Sequence, residues 1–262
     1  MNYSRLQSEI KKAFNPDNVV PRDVIVPLAV PALGWEEIFE AVESLMTTNL
    51  TMGEKVRKFE ELFAEYLGAG NAVMFNSGSS ANLVSMTIAR HVISRNREAP
   101  FEVITPAVTW ATTIFPICNV GAVPVLVDVT PDTYCAEPMR IKEAITNRTR
   151  AIMPVHLMGN VCKMREIMDL AGERDLMVIE DSCEAHGAKL LGKMAGTFGD
   201  MGTFSFFWSH HITTMEGGMI VTDNEELAEL ARAIRVVGWI RDLKEKKVIA
   251  RKYPHIDERF LF

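Results

Sequence analysis

Ala72-Val73-Met74-Phe75-Asn76-Ser77-Gly78-Ser79-Ser80-Ala81-Asn82-Leu83-Val84-Ser85-Met86 reads as strand, turn and helix in direct succession. Ala72 to Phe75 is a short apolar run, the next residues are small and polar, and Ala81, Leu83, Val84 and Met86 then follow a helical pattern. A small-residue turn at a helix N-terminus presents backbone N–H groups and a positive dipole end, which suit a phosphate. Glycine and serine also serve such turns for capping alone, so the turn by itself leaves both readings open.

Downstream, the runs Val103 to Thr105, Val123 to Val127, Ala151 to Val155, Met177 to Ile179, Thr203 to Phe207 and Met219 to Val221 alternate with helical patterns. That alternation predicts an α/β fold, a mostly parallel sheet flanked by helices. Upstream, Ile38, Phe39, Val42, Leu45 and Met46, then Val56, Phe59, Leu62, Phe63, Tyr66 and Leu67, mark two amphipathic helices. The last clear helix is read from Asp223, with Glu226 completing a capping box, through Leu227, Leu230, Ala231 and Ile234. Arg241 to Arg251 is rich in Lys and Arg without a strong apolar stripe, and the apolar end Phe260-Leu261-Phe262 suggests that a further element follows. The expected organisation is an N-terminal segment 1–34, a large α/β domain 35–240, and residues 241–262 as the start of a smaller C-terminal domain that is otherwise missing.

A formal net charge of -6, with no long Lys/Arg block, argues against nucleic acid or an anionic membrane as partner, since both attract concentrated positive charge. Met1 to Pro16 lacks an apolar stretch of signal-peptide length, and Val24 to Val30 is short and interrupted by Pro27. The expectation is a cytoplasmic protein with no membrane span. Cys118, Cys135, Cys162 and Cys183 stand far apart, without the spacing of a disulfide framework or zinc knuckle.

Glu180-Asp181-Ser182-Cys183-Glu184 falls at the carboxyl end of a predicted strand, where ligands gather in open α/β sheets. It reads either as a solvated loop or as the place where a buried Asp holds a protonated pyridine nitrogen. The stretch Thr203-Phe204-Ser205-Phe206-Phe207-Trp208-Ser209-His210-His211 ends in adjacent histidines. Neighbours on a strand point to opposite faces, and no H-E-x-x-H spacing is present, so no metal site is expected.

The succession N-S-G-S-S-A-N, Pro106-Ala107-Val108-Thr109-Trp110, Val127-Asp128-Val129, Pro154-Val155-His156-Leu157-Met158-Gly159, Glu180-Asp181, and Phe204-Ser205-Phe206 through Glu216-Gly217-Gly218 resembles the DegT/DnrJ/EryC1/StrS family of sugar aminotransferases, which use pyridoxal 5'-phosphate (PLP). The resemblance covers nearly the whole chain, and motifs matched jointly and in order are far more specific than any one alone. It implies the type I fold of aspartate aminotransferase. It further implies that Gly78 and Ser79 hold the cofactor phosphate with help from the Ser205 hydroxyl, and that Trp110 stacks on the pyridine ring. Asp181 would pair with the ring nitrogen, and Glu184 would lie near the ring's phenolic oxygen.

One position departs from the aminotransferases. Five residues after the serine matching Ser205 they carry the Schiff-base lysine, and here His210 stands in its place. An imidazole cannot form that imine, so PLP would be held non-covalently, yet an imidazole can still move protons near neutral pH. The replacement is similar to that in the 3-dehydratases of deoxysugar and O-antigen biosynthesis. That likeness implies a homodimeric enzyme in which L-glutamate converts the cofactor to pyridoxamine 5'-phosphate (PMP). A nucleotide-linked 4-keto-6-deoxyhexose then loses its 3-hydroxyl, with His210 as base. Relatives that add an iron–sulfur cluster carry cysteines late in the chain, whereas no cysteine follows Cys183 here. Two rival readings are a nucleotide-sugar aminotransferase in which Lys189 or Lys193 supplies the amine, and a catalytically silent PLP-binding relative.

Overall fold

A computed structural model describes residues 3–14, 33–48, 50–94, 100–244 and 246–257. The run Val24 to Val30 and the end Phe260 to Phe262 lie outside the described residues. Helices α1 (Tyr3–Ala13), α2 (Trp35–Thr47) and α3 (Glu54–Leu67) come first. α3 buries Phe63, Ala64 and Leu67 on its apolar stripe and stops at Gly68, whose φ of 72° is the left-handed cap that glycine adopts without strain.

The α/β alternation then follows as β1 (Asn71–Phe75), α4 (Gly78–Ser94), β2 (Glu102–Pro106), α5 (Ala111–Asn119), β3 (Val123–Val127), α6 (Pro138–Ala144), β4 (Thr149–Ile152), α7 (Met164–Arg174) and β5 (Met177–Asp181). A small hairpin of β6 (Lys189–Leu190) and β7 (Lys193–Met194) precedes β8 (Met201–Ser205), β9 (Gly218–Thr222), α8 (Glu225–Arg235) and α9 (Lys246–Lys252). Seven strands form one sheet in the order β1-β9-β8-β5-β4-β2-β3. β9 runs antiparallel to β1 and to β8, and the remaining pairs are parallel. The carboxyl ends of β1, β2, β5 and β8 therefore share one edge of the sheet with the amino end of β9.

Both faces of the sheet are covered, and side-chain alternation shows it directly. Val178 enters a cluster with Ile141, Met164 and Ile167, while its neighbour Ile179 enters the opposite one with Val73, Met86 and Met201. Beneath α3, Phe63 and Leu67 pack on Phe204, Phe206 and Met219. Two edge-on ring contacts of Phe63, with Phe204 at 5.1 Å and Phe206 at 5.2 Å, fix the end of β8.

Three local expectations need correction. Asp223 does not cap α8: Asn224 does, accepting from the Glu226 and Leu227 N–H groups, while the Asp223 carboxylate accepts from Gly70 N at 2.7 Å. β4 ends at Ile152 instead of Val155, because Pro154 has no N–H for the ladder; beyond it the pairing continues through the Met153 N bond to the Ile104 carbonyl and a bridge from Val155 to Asp181. β8 ends at Ser205, and the chain beyond Phe206 leaves the sheet in turns. The basic segment after Arg241 also contains a helix, α9.

Candidate active site

The turn between β1 and α4 is built from the backbone. Ser77 caps the helix, its hydroxyl accepting from Ser80 N at 3.1 Å and its carbonyl from Ala81 N at 3.0 Å. The first N–H groups of a helix have no partner inside it. Among the described residues no hydrogen bond within the chain engages those of Gly78 and Ser79, so both remain for an external acceptor. β8 and β9 press on this turn. A Cβ on Gly218 would lie 2.0 Å from the Ser77 carbonyl oxygen, and one on Gly78 would lie 2.6 Å from Ser205 Cβ and 2.9 Å from Cys183 Sγ. Glycine at 78 thus lets the Ser205 hydroxyl reach the helix N-terminus, and Ser79 is exposed beside it.

The two carboxylates at the end of β5 divide the work by strand alternation. Glu180 faces the core, where its Oε2 meets His156 Nε2 at 2.9 Å and accepts from Gly196 N, while Oε1 accepts from Gly199 N. His156 accepts in turn from Cys162 N through Nδ1. Glu180 is therefore a structural anchor. Asp181 faces the turn: its Oδ2 accepts from Asn82 Nδ2 at 2.9 Å and Thr113 Oγ1 at 2.7 Å, and its Oδ1 from Cys183 N at 3.2 Å. The reading of this segment as a solvated loop fails, since Asp181 is 5% exposed.

His210 lies in the loop after β8, its N–H bonded to the Phe207 carbonyl. Burial holds its imidazole below the usual histidine range; the negative charge of Glu184 pulls it up, His211 pushes it down, and Asp181 pulls it up again. His210 thus lies within electrostatic reach of both carboxylates. Glu184 is itself held, its Oε2 accepting from Met158 N at 2.8 Å. The expectation that His210 and His211 point to opposite faces of a strand does not hold, because neither is on a strand: the His186 ring stands 6.3 Å from each of theirs. His186 donates through Nε2 to the Ser205 carbonyl at 2.7 Å, and burial pushes its imidazole down to about 4.

Trp110 is at the N-cap of α5, where its carbonyl accepts from Thr113 N, and is 72% exposed. Helix α5 therefore connects the exposed indole to Asp181 through Thr113. Lys189 and Lys193 stand elsewhere, on a cleft of about 640 Å³ lined also by Glu65, Tyr66 and Asp223. Unclaimed N–H groups at a helix N-terminus, a hydroxyl beside them, and an acceptor-only carboxylate at the neighbouring strand end fit the phosphate and ring nitrogen of PLP.

A model of the DegT/DnrJ/EryC1/StrS aminotransferase family matches residues 32–253. The chain belongs to this family. Its fold is the PLP-dependent aminotransferase type expected from the motifs. The GDP-4-keto-6-deoxy-D-mannose 3-dehydratase of Yersinia pseudotuberculosis is 41% identical over 226 residues, which are 86% of this chain and 58% of that protein. Among solved structures, the E. coli GDP-4-keto-6-deoxy-D-mannose 3-dehydratase with bound hydrated PLP has a TM-score of 0.78 at 42% identity, over 84% of this chain and 56% of the other. A GDP-4-keto-6-deoxymannose 3-dehydratase with a trapped PLP–glutamate geminal diamine has a TM-score of 0.76 at 41% identity, over 84% and 57%. The chain thus spans less than two thirds of the length of these relatives.

Within this member of the family, sequence reasoning missed Asn82, Thr113, Thr203 and His186 as parts of the site. Asn82 and Thr109 lie inside the family motifs, and Thr113 follows Thr109 at helical spacing, a weak signal that becomes meaningful only once α5 is in place.

Proposed function

We propose that the chain is the PLP-binding part of a 3-dehydratase that removes the C3 hydroxyl of a nucleotide-linked 4-keto-6-deoxyhexose. The observation that carries this reading is His210, half-buried within electrostatic reach of Asp181 and Glu184 and close to the His186 ring, at the position where aminotransferases have their lysine. When bound, the cofactor supplies an amine-bearing carbon and a protonated pyridine ring that acts as an electron sink. Gly78 N, Ser79 N and the Ser205 hydroxyl would hold the phosphate, and the Asp181 carboxylate would keep a proton on the ring nitrogen. Trp110 would cover the ring, and Glu184 would serve its phenolic oxygen.

His210 holds and moves the proton at the carbon that bears the amine. Burial favours the neutral imidazole, the form that accepts a proton. Without a lysine there, cofactor retention is non-covalent. L-Glutamate is the amino donor, a reading supported by the glutamate adduct trapped in a related structure. The exposed Trp110 and Phe115 near the site support a homodimer that covers them. No helix among the described residues is long and apolar enough to cross a membrane, which fits a cytoplasmic enzyme of deoxysugar and O-antigen biosynthesis.

The test is to incubate the protein with PLP, glutamate and a panel of nucleotide 4-keto-6-deoxyhexoses, and to identify the products by mass. A 3-deoxy ketosugar with release of ammonia is expected. A 4-amino sugar, or a pyridoxyl label fixed to Lys189 or Lys193 by borohydride, would establish the aminotransferase instead.

A further inference from the structure

The hydrogen bonds around Asp181 can be assigned a direction. An amide oxygen only accepts, so at 2.6 Å the Thr203 hydroxyl donates to Asn82 Oδ1. That fixes the amide, whose NH2 points at Asp181 Oδ2 at 2.9 Å and at the Thr112 carbonyl at 3.2 Å. Thr113 has one hydroxyl proton and gives it to Asp181 Oδ2 at 2.7 Å. The 2.7 Å contact between the Thr109 and Thr113 hydroxyls must then run from Thr109 to Thr113. Two donor chains, Thr203 to Asn82 and Thr109 to Thr113, therefore converge on one carboxylate oxygen. Asn82, Thr113 and Thr203 are all at most 1% exposed, so water does not replace these bonds.

An oxygen of a carboxylate has two lone pairs in its plane, and both of those on Oδ2 are filled. Among the described residues, Oδ1 takes one N–H donor, the longer bond from Cys183 N at 3.2 Å, and the Cys183 thiol also contacts this carboxylate. We propose that Asn82, Thr113 and Thr109 are positioning residues that hold Asp181 with Oδ1 presented to the pyridine nitrogen. Because Thr109 is the residue before Trp110, the same network couples the stacking side chain to the carboxylate. Ring stacking and ring protonation are then set together, by residues that never touch the cofactor. This inference rests on the reading of the chain as a PLP binder.

The experiment uses PLP labelled with nitrogen-15 in its ring, with NMR of the bound cofactor and a binding titration. Wild type should bind it with the signal of a protonated pyridine. Thr113→Val keeps the side-chain shape and removes the donor; it should bind about 10-fold more weakly, the size expected for one hydrogen bond to a carboxylate, with the nitrogen signal moved toward the unprotonated ring. Thr113→Ser should restore both. Thr109→Val, at the outer end of the chain, should move the signal the same way by less. A folded Thr113→Val protein with unchanged affinity and unchanged nitrogen signal overturns the proposal, as does Thr109→Val without any shift should Thr113→Val fail to fold. Wild type that takes up no labelled cofactor instead overturns the cofactor reading beneath it.

Discussion

Gly78 on α4 and Ser205 at the end of β8 stand so close that a Cβ at position 78 would lie 2.6 Å from the Ser205 Cβ. No rotamer relieves that overlap, because Cβ positions follow from the backbone. Gly78→Ala should therefore push the helix N-terminus away from the strand and cost about 1–3 kcal/mol as overpacking. PLP affinity should fall with it. Gly172→Ala, on α7 with open space around the added methyl, should be neutral or stabilising by up to ~1 kcal/mol. Urea denaturation of both variants checks the pair, and equal costs would mean that the turn does not pack as described.

His186 predicts a pH dependence of stability. Its imidazole is pushed from 6.5 down to about 4 in the folded protein, chiefly by burial, with His210 and His211 adding repulsion. Between those values the unfolded chain binds a proton that the folded one refuses, so stability falls as pH drops from 6.5 toward 4. The loss from this group is roughly 2–3 kcal/mol across the window. His186→Gln, which can still donate to the Ser205 carbonyl, should flatten that part of the curve. Denaturation midpoints taken from about pH 7.5 down to about pH 5 measure it, and an equally steep loss in the variant would assign the effect to other groups.

The rate should carry its own acid limb. His210 must be neutral to accept a proton, and burial lowers its titration below the ordinary histidine range. The limb of kcat/KM should lie below that range too. His211→Asn removes a charge that pushes His210 down and should move the limb upward, while leaving the plateau near its original height. A limb that ignores the His211 substitution would separate the two rings electrostatically.

Much of this architecture was legible because it is periodic. β1, β2, β3, β5 and β9 fall within a residue or two of their apolar runs, and the Gly78 turn packs directly on Ser205. Position-specific choices were harder to read. Asp223 and Asn224 are both good caps, and which of them starts α8 depends on Gly70, distant in sequence, taking the Asp223 carboxylate. α5 contains Pro116, which argues against a helix locally, yet packing of Thr113, Pro116 and Ile117 into the core sustains it. The roles of Glu180 and Asp181 separate only when the sheet gives them opposite faces. His210 and His211 needed the end of β8 to be known, since one extra strand residue changes where every later side chain points.

The proposed role of His210 as the base is tested most directly by the turnover rate of His210→Asn, measured as loss of the sugar's 3-hydroxyl under saturating substrate. Asparagine keeps polarity and approximate size but cannot take the proton. Cofactor binding should survive while turnover falls by a factor on the order of 10² to 10⁴, with His211→Asn retaining most of its turnover at neutral pH. A His210→Asn enzyme that still removes the 3-hydroxyl at the wild-type rate would contradict the assignment.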